Sequence, residues 1–130
     1  MRTGFLTLSA LLLASCSSPE LPLAQPAELA RLSEARPLAV LFSVAGCRYC
    51  AIAERGLAGA ARRLGPEVEF RKVMVDGVTL PPLMHRYGLQ ATMPQARLLF
   101  EDGRWKPLPL TREGDRVAEA IRGILGARAR

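Results

Sequence analysis

Apolar positions along the chain change their period several times, and each change marks an element. Residues 38–44 form a nearly continuous apolar run, which predicts a strand covered on both faces. From residue 47 to about 64 the spacing turns helical, with Ala53, Leu57, Ala60 and Leu64 on one face and Gly65-Pro66 at the end. Gly56 and Gly59 fall inside that helix, where each costs about 1 kcal/mol against alanine. Close packing or a bend would account for them. A second strand is predicted over 68–75, with the apolar block Val73-Met74-Val75 at its end. Two such runs joined by a helix make a βαβ unit with parallel strands.

The flanking patterns are shorter. Residues 27–36 predict a helix carrying Leu29 and Leu32 and ended by Pro37. Residues 80–87 predict a proline-started helix stopped by Gly88. Strands over 95–100 and 105–110 flank the turn Glu101-Asp102-Gly103-Arg104, and Asp-Gly marks a hairpin. Pro107 and Pro109 confine the second of these strands to a sheet edge. A last helix starts near Thr111 or Asp115 and runs to about Leu125, with Val117, Ile121, Ile124 and Leu125 facing inward. There are no internal repeats.

The first residues read differently. Met1-Arg2-Thr3 carries one positive charge, residues 5–13 are apolar, and Ala14-Ser15 are small. That is a signal-peptide pattern, and the apolar run is too short to span a bilayer. Leu13-Ala14-Ser15-Cys16 resembles the lipobox of bacterial lipoproteins, which implies cleavage before Cys16 and a diacylglycerol on its sulfur. The other readings are an uncleaved anchor and a secreted protein with Cys16 near the cut. With Ser17 rather than Asp after Cys16, the same resemblance favours the outer membrane of the bacterial cell envelope, facing the periplasm. The expected organisation is a signal peptide over 1–15, a lipidated tether over 16–26 containing Pro19, Pro22 and Pro26, and a domain over 27–130.

At 130 residues the chain holds one domain at most. Its net charge of +6 is spread over many arginines, without a basic cluster interleaved with aromatics. Nucleic-acid binding is therefore not expected; a solvated basic surface, or attraction to acidic lipid headgroups, is the default. No dimerisation segment is evident, so a monomer is expected.

Candidate chemistry concentrates at Gly46-Cys47-Arg48-Tyr49-Cys50, where the first strand turns into the first long helix. Unpaired N–H groups and the positive end of the macrodipole favour an anion at a helix N-terminus, and the Cys47 thiolate would be that anion. A free thiol with a pKa of about 8.5 is a few per cent ionised at pH 7, and a drop of roughly 1.5 units would make it half ionised. Arg48 adds positive charge in the same sense, and Cys50, one turn on, is spaced to resolve a mixed disulfide. The same pair also reads as half a zinc site or as two idle cysteines. Zinc needs four ligands, and only His85 and Cys16 remain to supply them.

The element order, Cys47-Arg48-Tyr49-Cys50 after the first strand, and Thr92-Met93-Pro94 before the third together resemble the thioredoxin family over roughly residues 27–130. The resemblance implies an α/β thioredoxin fold with a central mixed four-stranded sheet flanked by helices. It also implies a cis Pro94 beside the redox pair, and a Met93 backbone that pairs with a substrate segment. Cys47 would attack and Cys50 resolve, with no metal or organic cofactor.

Three departures stand out. Gly46 occupies the place of the Trp of cytosolic thioredoxins. Leu41 occupies the place of the buried Asp thought to assist proton transfer at the resolving cysteine. Arg48-Tyr49 is neither the Gly-Pro of thioredoxins nor the Pro-His of the strong periplasmic oxidase; the tyrosine is similar to that of disulfide isomerases and glutaredoxins. Glu54, one turn beyond Cys50, is a candidate substitute for the missing carboxylate, though a solvated helix face is the default for it, and a surface position is the default for Lys72.

The expected function is thiol–disulfide exchange with cysteine-containing proteins outside the cytoplasm. Reduction or isomerisation is favoured over oxidation, and a membrane electron donor is implied. The alternative is a copper-handling or docking module using Cys47, Cys50 and His85. Met74, Met84 and Met93 are too scattered for a copper box, and Trp105 is expected to pack on the hairpin.

Overall fold

The computed structural model describes residues 20–129, so the expected signal segment, Cys16 and Ser17 lie outside the described residues. Strand β1 (Leu38–Ser43) is buried along its whole length, as its unbroken apolar run requires. It pairs in parallel with β2 (Glu69–Met74) and antiparallel with β3 (Gln95–Leu99), which pairs antiparallel with β4 (Trp105–Pro107). The mixed four-stranded sheet has the order β2-β1-β3-β4. Helix α2 (Arg48–Leu64) makes the crossover between the parallel strands.

Alternation along β1 divides the core. Leu38, Val40 and Phe42 face Leu29 of α1 (Leu29–Ala35) and Leu83 and Tyr87 of α3 (Leu80–Tyr87). Ala39 and Leu41 face Ala53 and Leu57 of α2 and Val117 and Ile121 of α4 (Gly114–Arg128). Two apolar layers therefore sandwich the sheet between two pairs of helices.

Four details depart from or decide the sequence reading. β4 ends at Pro107 rather than near Leu110, because Pro107 and Pro109 have no N–H to donate; one further bond, Leu108 N to Ala96 O at 3.0 Å, closes the pairing. α4 runs on past Leu125 to Arg128.

Part of the stretch expected as a tether belongs to the domain. Leu21 and Ala24 are buried, and Lys72 N donates to Pro22 O and Ala24 N to Lys72 O, both at 2.9 Å. The segment thus lies along the outer edge of β2, where a proline carbonyl still accepts although its nitrogen cannot donate.

Gly56 and Gly59 serve close packing rather than a bend. A Cβ on Gly56 would fall 1.7 Å from the Thr111 carbonyl oxygen, and one on Gly59 would fall 3.0 Å from Gly114 Cα. α2 and the start of α4 approach backbone to backbone there.

Candidate active site

β1 ends at Ser43, and the chain turns into α2 through Gly46, whose φ of 70° suits glycine. Cys47 follows as the N-cap residue of α2, in an extended conformation. Its Sγ accepts the backbone N–H of Cys50 at 3.1 Å, so a donor at the helix N-terminus is aimed at the sulfur. A donor so placed stabilises a thiolate more than a thiol, and the macrodipole acts in the same direction. Cys47 and Cys50 are joined as a disulfide with Cα atoms 5.2 Å apart. Cys47 is half-buried, whereas Cys50 is 4% exposed. The sulfur open to an incoming partner is therefore that of Cys47. Arg48 is exposed and Tyr49 is 72% exposed, so both stand at the rim.

Two hollows flank the pair. One, of about 380 Å³, is lined by both cysteines together with Gly46, Arg48, Glu54 and Lys72, among others. The other, of about 250 Å³, is lined by Tyr49, Ile52, Ala53, Pro94 and Leu110. Met93 and Pro94 are both half-buried, and the bond between them is cis, as the resemblance implies. Ile52 and Leu110 are exposed apolar side chains lining this second hollow with Tyr49 and Pro94, and sequence reasoning did not single them out. An apolar residue on the outer side of a helix starting at a reactive cysteine was the available signal for Ile52.

Glu54 and Lys72 do not lie on solvated faces. Their side chains are 12% and 17% exposed and form an ion pair, Lys72 Nζ to Glu54 Oε2 at 3.0 Å. The Leu21 N–H donates to the same carboxylate oxygen at 2.7 Å. The register explains the burial: Lys72 sits opposite Leu41 in the β1–β2 pairing and shares its face, beneath α2.

The loop carrying Met93 and Pro94 is braced from β3. Arg97, 9% exposed, donates from Nε to the Tyr87 carbonyl at 3.0 Å and from Nη2 to the Gly88 carbonyl at 3.1 Å. Nη2 also reaches Gln95 Oε1 at 3.1 Å, and Gln95 Nε2 donates to the carbonyls of Gln90 and Thr92 at 2.8 and 2.7 Å. The Trp105 ring covers the guanidinium at 4.9 Å, and burial pushes the Arg97 pKa down from its ordinary value. A charged residue inside the apolar strand run was the sequence signal for this brace.

Among the described residues no three His, Cys, Asp or Glu side chains are placed to hold a metal ion, and His85 is exposed on α3. A larger groove of about 810 Å³ lies between the hairpin and α4 and includes neither cysteine.

No family model matches the chain, and no curated protein matches it either. Solved structures do. Chloroplastic thioredoxin z superposes with a TM-score of 0.60 at 18% identity, covering 82% of this chain and 97% of that one. Mitochondrial thioredoxin 3 from Saccharomyces cerevisiae, in its oxidized form, gives 0.60 at 20% identity, covering 82% and 99%. Fasciola hepatica thioredoxin gives 0.58 at 24% identity, covering 80% and 98%. The chain has the thioredoxin fold.

Proposed function

We propose that this protein is a thiol–disulfide oxidoreductase in which Cys47 attacks and Cys50 resolves. The observation that carries the reading is the place of Cys47: it caps α2, its sulfur accepts the Cys50 amide, and it is bonded to Cys50. The fold shared with thioredoxins supports it.

As a reductant, the Cys47 thiolate attacks one sulfur of a substrate disulfide, and the other sulfur leaves as a thiolate. Cys50 then attacks Cys47 Sγ, the Cys47–Cys50 bond forms, and the second substrate thiolate departs. Two electrons pass to the substrate. Run backwards, the same steps oxidise a dithiol. An extended substrate segment lies against Met93 and Pro94, with an apolar side chain in the hollow beside Tyr49. The chemistry needs no metal or organic cofactor.

We further infer that the protein acts outside the cytoplasm, anchored by lipid on Cys16 and facing the periplasm, with the outer membrane favoured by Ser17. The support is the pattern of residues 1–16. Because that compartment already supplies oxidation, reduction or isomerisation is the favoured direction, and a membrane electron donor must recharge the pair.

The direction is tested by the reduction potential of the Cys47–Cys50 pair, titrated against glutathione in a soluble form beginning at Ser17. A value near that of thioredoxin, about −270 mV, supports electron donation. A value near −120 mV, that of a strong oxidant, reverses the direction.

A further inference from the structure

Cys50 poses a problem that Cys47 does not. It is 4% exposed, and its amide is directed at the sulfur of its partner. Burial disfavours a thiolate, yet Cys50 must lose its proton before it can resolve a mixed disulfide. Leu41 of β1, opposite Lys72 and in the apolar core beneath α2, accepts no proton.

The hollow that opens on Cys50 does hold a carboxylate, and it comes from the helix rather than the strand. Glu54 is four residues beyond Cys50 on α2, so the two side chains share a face. Glu54 lines the same hollow as both cysteines. Its carboxylate is held there by Lys72 from β2 and by the Leu21 amide of the N-terminal segment, while Arg48 is the other charged side chain lining that hollow.

We propose that Glu54 takes the proton of Cys50 during resolution, with Lys72 holding the carboxylate in place. This rests on the exchange reading above and assigns the proton step within it. Cys50 gives its proton to Glu54, and its thiolate attacks Cys47 Sγ. The Cys47–Cys50 bond forms as the bond to the substrate sulfur breaks, and the departing thiolate or solvent takes up the proton from Glu54. In the oxidising direction Glu54 returns the proton to Cys50.

The test uses the reduced protein and an aromatic disulfide whose released thiolate is coloured. A first release reports attack by Cys47, and a second reports resolution by Cys50. In Glu54→Gln, which keeps an oxygen for the Leu21 amide, the first release should stay within about twofold of wild type. The second should slow by about 100-fold at pH 7, the size expected of general-base assistance. It should then climb about tenfold per pH unit as hydroxide replaces the carboxylate.

Since Glu54→Gln strands the Lys72 charge, the double variant Glu54→Gln/Lys72→Met is run beside it, and thermal unfolding is followed for both. The same selective slowing in both supports the proposal. A second release with unchanged rate and pH profile overturns it, as does slowing of both releases together in step with lost stability. A wild-type protein that gives no first release overturns the exchange reading and this proposal with it.

Discussion

The backbone amide of Cys50 donates to the sulfur of Cys47 across 3.1 Å, at the first turn of the helix that Cys47 caps. The two cysteines are thereby made unequal. One is half-buried with a donor aimed at it; the other is buried and supplies that donor. After reduction, Cys47 should be alkylated first, with a reactivity midpoint below that of a free thiol. Cys50 should react only once the fold opens. Mass spectrometry of the labelled peptides reads this directly. Equal labelling of both with a midpoint at about pH 8.5 contradicts it.

Arg97 ties the Pro94 loop to the sheet through the carbonyls of Tyr87 and Gly88 and through Gln95. Arg97→Met leaves the Tyr87 carbonyl, in a buried bond, and the Gly88 carbonyl, in a part-buried one, without their donor, at about 1–3 kcal/mol. Denaturant unfolding should show that loss. KM for a protein disulfide should rise several-fold, while the rate with a small aromatic disulfide stays nearly unchanged. Equal effects on both substrates would remove the loop from substrate binding.

Glycines on the two long helices should respond with opposite sign. Gly56→Ala drives a methyl into the Thr111 carbonyl and should destabilise by about 1–3 kcal/mol. At Gly123 on α4 nothing lies within 4 Å of an added Cβ, so Gly123→Ala should stabilise by about 0.5–1 kcal/mol. Urea midpoints of the two variants compare them.

Asp76 Oδ1 accepts the amides of Thr79 and Val78 at 2.8 and 2.9 Å, just before α3. These bonds, that of Thr79 first, hold its carboxyl below the ordinary carboxylate value. A lowered folded-state pKa contributes stability that is present above the unfolded value, about 3.9, and is lost as the pH falls through the folded one. Asp76→Asn should therefore lower Tm at pH 7, and the difference should shrink as the pH drops below about 4. A gap constant from pH 7 to pH 2 would show that the charge is not responsible.

Much of the frame was legible because burial writes a period into the chain. The unbroken run of β1, the helical spacing of Ala53, Leu57, Ala60 and Leu64, and Asp102-Gly103 between two strands each allow one local structure. Cys47 at a helix start was legible for the same reason. The misses need a partner in space. Leu21 and Ala24 looked like tether because Pro19, Pro22 and Pro26 dominate the stretch, and only the free edge of β2 gives its backbone a place. Glu54 and Lys72 looked solvated because each is charged. Their burial follows from Lys72 standing opposite Leu41, a register that exists only once β1 and β2 pair.

The most direct measurement is a trap. The Cys50→Ser variant, reduced and mixed with a disulfide-containing protein, should accumulate a one-to-one covalent adduct through Cys47 that dithiothreitol releases. Cys47→Ser should give none. Intact mass and peptide mapping identify the linked residue. An adduct at Cys47 is the result the account predicts; no adduct, or one formed equally well without Cys47, would contradict it.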